Sequence, residues 1–225
     1  MSSHNLVFLH GWGTSSSVRE KQIDYFPEKY NVKAIDLYGQ KSENLSSVLC
    51  PLSSVLIGWS YGGMLAMDYA VKNPDRVKAL ALVGCSAKFT EGMPAAVIRN
   101  IKRNLSRDFK MTMENCYATF FSESEEAAMK KFIEKQGLPV KKDTIDILDQ
   151  LLVLDQRHVL KDIKVPTLIV HGDKDAVCPP EGARFLCEGI KGARLSVMKD
   201  AGHAPFFAAA EEFNKILEEF LETLD

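Results

Sequence analysis

The stretch Val55-Leu56-Ile57-Gly58-Trp59-Ser60-Tyr61-Gly62-Gly63 constrains this chain more than any other. An apolar, β-branched run enters Gly-x-Ser-x-Gly, and small and apolar residues from Met64 to Val71 follow at once. That order predicts a buried strand, a very tight turn and then a helix. Gly58 and Gly62 flank the serine because strand and helix nearly touch there, and a Cβ would clash. A serine at the tip sits on strained backbone with its hydroxyl pushed clear of the chain. The helix that follows aims its N-terminus, and so a partial positive charge, at that hydroxyl. A glycine-rich turn with an incidental serine is the competing reading. The strand before and the helix after favour Ser60 as a nucleophile.

The rest of the chain repeats the same alternation. Short apolar runs at Leu6–Leu9, Val32–Ile35, Val77–Val83, Thr167–Val170 and Leu195–Met198 read as strands. Helical spacing is expected over Ser15–Phe26, 62–72, 180–190 and 205–223, and 40–54 reads as a loop with a weak helix. Hydrophobicity in the strands is continuous rather than alternating, so both faces of the sheet are covered. The expected fold class is α/β: a mostly parallel sheet of about six strands with helices on both faces. From about Ala87 to Lys161 the chain is charged, helical in spacing and without a clear strand. Residues 1–86 and 162–225 are therefore expected to form the core, and 87–161 a helical lid over the C-terminal strand ends, where α/β folds bind ligands.

The remaining composition excludes several function classes. With 225 residues and 46% hydrophobic side chains, the chain can bury one core and an insertion. A net charge of −2 argues against general nucleic-acid binding. No apolar stretch reaches membrane-spanning length, and the first residues lack a signal-peptide pattern. The 5 cysteines show no metal-ligand spacing and read as reduced thiols of a cytoplasmic protein. No metal or cofactor motif is present, so no cofactor is expected.

A serine nucleophile needs a base, and the base an orienting acid. His171-Gly172-Asp173-Lys174-Asp175 follows one expected strand and Ala201-Gly202-His203-Ala204 follows the next. The base is then His203, and the acid is Asp173 or Asp175. An oxyanion also needs two backbone N–H donors. Tyr61 supplies one, and Trp12, in His10-Gly11-Trp12-Gly13 after the first strand, supplies the other. The Trp12 indole is also placed to wall an acyl pocket. His10 reads as a brace for that loop. The pattern assigns no chemistry to His4, His158 or His171.

Together these residues resemble the α/β-hydrolase family across nearly the whole chain. In that family the acid falls three residues after the glycine ending its strand, which implies Asp175 and leaves Asp173 as a turn cap. Within the family, His10-Gly11-Trp12-Gly13, Gly58-Trp59-Ser60-Tyr61-Gly62-Gly63, Gly202-His203-Ala204-Pro205-Phe206 and Leu154-Asp155-Gln156-Arg157 resemble the biotin-pathway carboxylesterases. Tyr61 departs from them, replacing a common leucine. That resemblance implies a serine carboxylesterase acting on an acyl ester, a pimeloyl methyl ester borne on acyl carrier protein. A thioesterase or carbon–carbon bond hydrolase would use the same residues, and a non-catalytic ligand-binding fold would lack part of the triad. A dehalogenase would need aspartate at position 60.

One charged stripe bears on the carrier. If 97–110 is a single helix turning about 100° per residue, Ile98, Ile101, Leu105 and Phe109 share one face. Arg99, Arg103, Arg107 and Lys110 then share the other, with no acid at i+4 inside that helix. An ordinary solvated face is the plain reading; a docking surface for an acidic carrier is the sharper one.

Overall fold

The computed structural model describes residues 4–26, 29–37, 45 and 53–224. The strands are β1 (Asn5–Leu9), β2 (Asn31–Ile35), β3 (Ser54–Trp59), β4 (Val77–Val83), β5 (Thr167–Gly172) and β6 (Arg194–Met198). They form one sheet in the order β2-β1-β3-β4-β5-β6, every pairing parallel. Every residue of β1, β3 and β5 is buried, as the unbroken apolar runs require, whereas the edge strands β2 and β6 are exposed or partly buried up to a buried last residue. The sheet and its flanking helices form a doubly wound α/β fold.

The expected helix over 15–26 opens as a 3-10 turn, Ser16–Arg19, before α1 (Glu20–Tyr25). The elbow helix α2 (Tyr61–Lys72) packs against β1, β3 and β4. Gly58 and Gly62 have the expected cause: a Cβ at 58 would lie 2.5 Å from the Gly63 Cα, and one at 62 would overlap the carbonyls of Leu9 and His10. Between β4 and β5 run α3 (Phe89–Gly92), α4 (Ala95–Arg107), α5 (Phe109–Ala118), α6 (Glu126–Gln136) and α7 (Lys141–Val153). Helix α8 (Pro180–Gly189) precedes β6. The single helix expected over 205–223 is two, α9 (Pro205–Ala208) and α10 (Ala210–Leu221), because Ala209 leaves helical geometry at φ −117°, ψ 55°. Of the loop with a weak helix expected over 40–54, residues 40–44 and 46–52, Cys50 among them, lie outside the described residues; Leu45 is buried, and Ser54 already belongs to β3.

The charged stripe needs a larger correction. Asp108 is extended (φ −141°, ψ 95°) and its carboxylate accepts the Met111 N–H at 3.0 Å, capping a new helix. Residues 97–110 are therefore not one helix. Lys110 leaves the stripe and faces Glu114 at i+4, 3.9 Å away. Arg99, Arg103 and Arg107 stay on α4 and are exposed. Lys102 at their margin is neutralised by Asp149 of α7 at 2.6 Å.

Candidate active site

Parallel strands bring their C-terminal ends to one edge of the sheet, and the candidate residues gather there. Ser60 follows β3 and holds φ 53°, ψ −120°, a left-handed φ that an L-residue adopts only where its surroundings impose it. Its N–H donates to the Val83 carbonyl of β4 at 2.9 Å, while its own carbonyl accepts the N–H groups of Gly63 and Met64. The turn is thus tied to both neighbouring elements. Asp175 and His203 follow β5 and β6, and both are buried.

His203 Nδ1 and Asp175 Oδ2 are 2.8 Å apart. The other oxygen, Oδ1, accepts the N–H groups of Val177 and Cys178, both at 2.9 Å. With the carboxylate ionised, His203 Nδ1 carries the proton and Nε2 is left as a base. Burial would raise the Asp175 pKa. The charge of His203 and the hydrogen bonds of His171 and His203 more than reverse that, holding it below the usual carboxylate range. Trp59, next to Ser60, donates its indole N–H to the His203 carbonyl at 2.8 Å, which joins the elbow to the histidine turn. Asp173 has a different environment. Its carboxylate reaches Lys174 at 3.9 Å, and Oδ1 has no hydrogen-bond partner, so the expected turn cap is not made.

Trp12 and Tyr61 flank the elbow. As the first residue of α2, Tyr61 has a backbone N–H without an acceptor inside the helix. Its hydroxyl donates to Gln150 of α7 at 2.8 Å, and the Trp12 indole donates to the Thr144 carbonyl of the same helix at 2.7 Å. Both side chains therefore fasten the sheet edge to the helices above it. His10 braces the loop as expected: Nε2 accepts the Leu37 N–H at 2.8 Å and Nδ1 donates to the Gly11 carbonyl at 2.8 Å. That pattern requires the neutral ring, and burial pushes its pKa down to about 4.

A cavity of about 500 Å³, a volume ordinary for a small-molecule site, reaches Trp12, Phe120 and Val177, while Ser60, Asp175 and His203 do not line it. Trp12 walls it on the sheet side, as the sequence suggested. Phe89, Met93, Val97 and Ile101 line it with Leu148 and Leu151, and Asn104, Arg107, Asp108 and Asn115 add polar groups. It is a mostly apolar slot with a few polar anchors.

Three contributors escaped the sequence reading. His171, buried on β5, places Nε2 2.6 Å from the Cys178 carbonyl and 3.2 Å from Asp175 Oδ2. Phe120 lines the cavity and packs its ring 5.4 Å from that of His203. Glu125 accepts the Gly202 N–H, beside His203, at 2.9 Å. Only Glu125 had a local signal, the Ser122-x-x-Glu125 capping-box pattern, which says nothing of a partner 77 residues away.

A strained serine at the β3 elbow and an aspartate–histidine pair after β5 and β6 put on one sheet edge the residue types that acyl transfer through serine uses. The comparisons with known proteins agree on the class. A family model described as the alpha/beta hydrolase fold matches residues 51–210. The chain belongs to the α/β-hydrolase family. It is similar to the pimeloyl-[acyl-carrier protein] methyl ester esterase of Chromobacterium violaceum, at 28% identity over 97% of this chain and 94% of that one. The Yersinia enterocolitica protein of the same name is 29% identical over 97% and 93%. Among solved structures, the esterase EaEST from Exiguobacterium antarcticum matches at TM-score 0.84 and 25% identity, covering 98% of this chain and 92% of that one.

Proposed function

We propose that this protein is a serine carboxylesterase that hydrolyses an acyl methyl ester carried by an acyl carrier protein. The observation behind this reading is the buried Asp175–His203 pair at 2.8 Å, set beside the strained Ser60 elbow and a mostly apolar cavity. His203 Nε2 takes the Ser60 proton as the serine oxygen attacks the ester carbonyl. The Trp12 and Tyr61 N–H groups hold the oxyanion. Collapse breaks the bond to the alkoxy group, which leaves as an alcohol with the proton from His203. Water, deprotonated by the same nitrogen, then attacks the acyl-enzyme and releases the acid. Asp175 fixes the tautomer throughout. No step calls for a cofactor or a metal.

The substrate assignment comes from the relatives named for a pimeloyl-carrier methyl ester, and the cavity suits an acyl chain of that kind. Residues 87–161 act in this reading as a lid, with the chain beneath it and the carrier outside. Arg99, Arg103 and Arg107 supply the positive charge that an acidic carrier would meet.

The test is a product assay on the methyl ester of a pimeloyl-carrier conjugate, alongside free methyl esters of graded acyl length. Methanol should be released while the carrier thioester stays intact. Release of the carrier thiol instead would make the protein a thioesterase, and no turnover of either bond would overturn the proposal.

A further inference from the structure

The turn that carries His203 is held from the lid side at three backbone points. Glu125 Oε2 accepts the N–H of Gly202 at 2.9 Å and, in its capping box, the N–H of Ser122 at 2.8 Å. On the other side of His203, the Ala204 N–H donates to the Phe120 carbonyl at 3.2 Å. The Asp200 carbonyl accepts two hydroxyls, Ser122 Oγ at 2.7 Å and Ser124 Oγ at 3.3 Å. Asp200 itself sits at φ 58°, a strained conformation that persists only where neighbours fix it.

The contact also explains a residue within the turn. A Cβ at Gly202 would lie 2.7 Å from the Phe120 carbonyl oxygen and 2.9 Å from Glu125 Oε2. Glycine is needed there because segment 120–125 lies directly against the backbone. The core holds His203 through its ring, at Asp175, and its carbonyl, at Trp59, and it holds the turn through the Ala201 carbonyl, which accepts the Lys174 N–H at 2.9 Å. The N–H groups on either side of it, at Gly202 and Ala204, are both satisfied by the lid.

We infer that Glu125 is a positioning residue for His203: its carboxylate, bonded to the Gly202 N–H, sets the backbone that aims the imidazole at Ser60. The inference rests on the proposed role of His203 as the base. A carboxylate accepting two N–H groups holds them more strongly than a neutral acceptor would. Small displacements of a catalytic group are expensive, about a hundredfold in rate for 1 Å.

The experiment compares Glu125→Ala, Glu125→Gln and Ser122→Ala in the full chain with p-nitrophenyl acetate, whose acetyl group fills little of the cavity. Glu125→Ala should lower kcat roughly 10- to 100-fold with KM nearly unchanged. Glu125→Gln keeps an oxygen acceptor in place and should recover most of that loss. Ser122→Ala, which keeps Glu125 but removes the shorter of the two hydroxyl bonds to the Asp200 carbonyl, should lower the same parameter less. Ring resonances of His203 in 15N-histidine spectra should broaden in Glu125→Ala and sharpen again in Glu125→Gln. A wild-type kcat in Glu125→Ala, an effect on KM alone, or a glutamine variant as slow as alanine would overturn the inference. His203→Ala, run alongside, separates the two claims. If it is inactive while Glu125→Ala is fully active, only the positioning role fails; if it keeps wild-type activity, the assignment of the base fails and this inference with it.

Discussion

Ser60, Asp175 and His203 stand on the sheet edge, while the cavity beside them is walled largely by α4, α5 and α7, and different forces hold the two regions. At the sheet edge the constraints are backbone on backbone. Gly58 and Gly62 exist because main chain lies where a Cβ would be, and Asp175 Oδ1 is fixed by two consecutive N–H groups. Where the inserted helices meet the sheet, side chain packs on side chain. Trp59, Tyr117, Phe120 and Phe132 form an edge-to-face cluster in which Phe120 lies 5.4 Å from Trp59 and 5.9 Å from Phe132. Backbone contacts tolerate almost no substitution, so they leave fixed motifs. An aromatic cluster can be rebuilt from other large residues of similar volume. The first region should therefore fail steeply and the second gradually.

The steepest loss is expected at Ser60. On the proposed mechanism Ser60→Ala should lower ester turnover about a millionfold, since the nucleophile of a triad acts with its partners as a unit. A fluorophosphonate probe should label the wild type at Ser60 and leave the variant unlabelled. Labelling at another residue would remove Ser60 from its role.

Asp175→Asn comes next, at about four orders of magnitude in kcat, because an amide stabilises the wrong tautomer of His203. Asp173→Asn should cost far less, since among the described residues the Asp173 carboxylate pairs with Lys174 and its Oδ1 accepts no hydrogen bond. Kinetics of the two variants on one soluble ester decide it, and the reverse ranking would break the assignment of the acid.

These expectations also mark how far the sequence was legible. The positions of the strands along the chain and the three candidate residues could be read, the latter because each lies in or beside a tight turn whose glycines betray it. Reading Lys110 into the stripe of α4 failed on a single residue, because Asp108 is as compatible with a helix surface as with a cap and only its dihedral angles decide. Arg19 was unreadable for another reason. Its guanidinium is buried 3.6 Å over the Phe206 ring, with its pKa pushed down to about 9 by burial, where composition would place a cation in solvent. Glu125 and Phe120 act through contacts far away in sequence, and local pattern cannot report those.

A smaller effect, on stability rather than rate, belongs to His10. Its folded pKa of about 4 lies below the ordinary value of 6.5, so between them the unfolded chain binds the proton and the folded one does not. Stability must then fall as pH drops through that window. About 2 kcal/mol should be lost between pH 7 and pH 5. The depressed Asp175 acts in the same sense at lower pH, as its carboxylate is protonated, and barely enters this range. Urea unfolding of the wild type and of His10→Gln across that range isolates the histidine: the variant should show a flatter curve. Parallel curves would mean that His10 is not held neutral.

The smallest expected effect lies on the outer face of α4, and it tests whether the inserted helices contribute anything beyond lining the cavity. Arg107 borders the cavity, so reversing its charge would mix pocket and surface effects. Arg99 and Arg103 are exposed on α4 without a carboxylate partner among the described residues, and Arg103 bonds only the neutral Asn100. Reversing both to glutamate changes the local charge by four units and leaves the lining intact. If an acidic carrier docks there, kcat/KM for a carrier-bound methyl ester should fall roughly tenfold at low salt. The difference from wild type should shrink as salt rises, because exposed charges are screened over about 10 Å at 0.1 M ionic strength. Hydrolysis of p-nitrophenyl acetate, which needs no carrier, should not change. Equal losses on both substrates would mean that the lid itself had been disturbed. No loss on either would leave Arg99 and Arg103 as solvated surface, and the carrier would have to be met elsewhere.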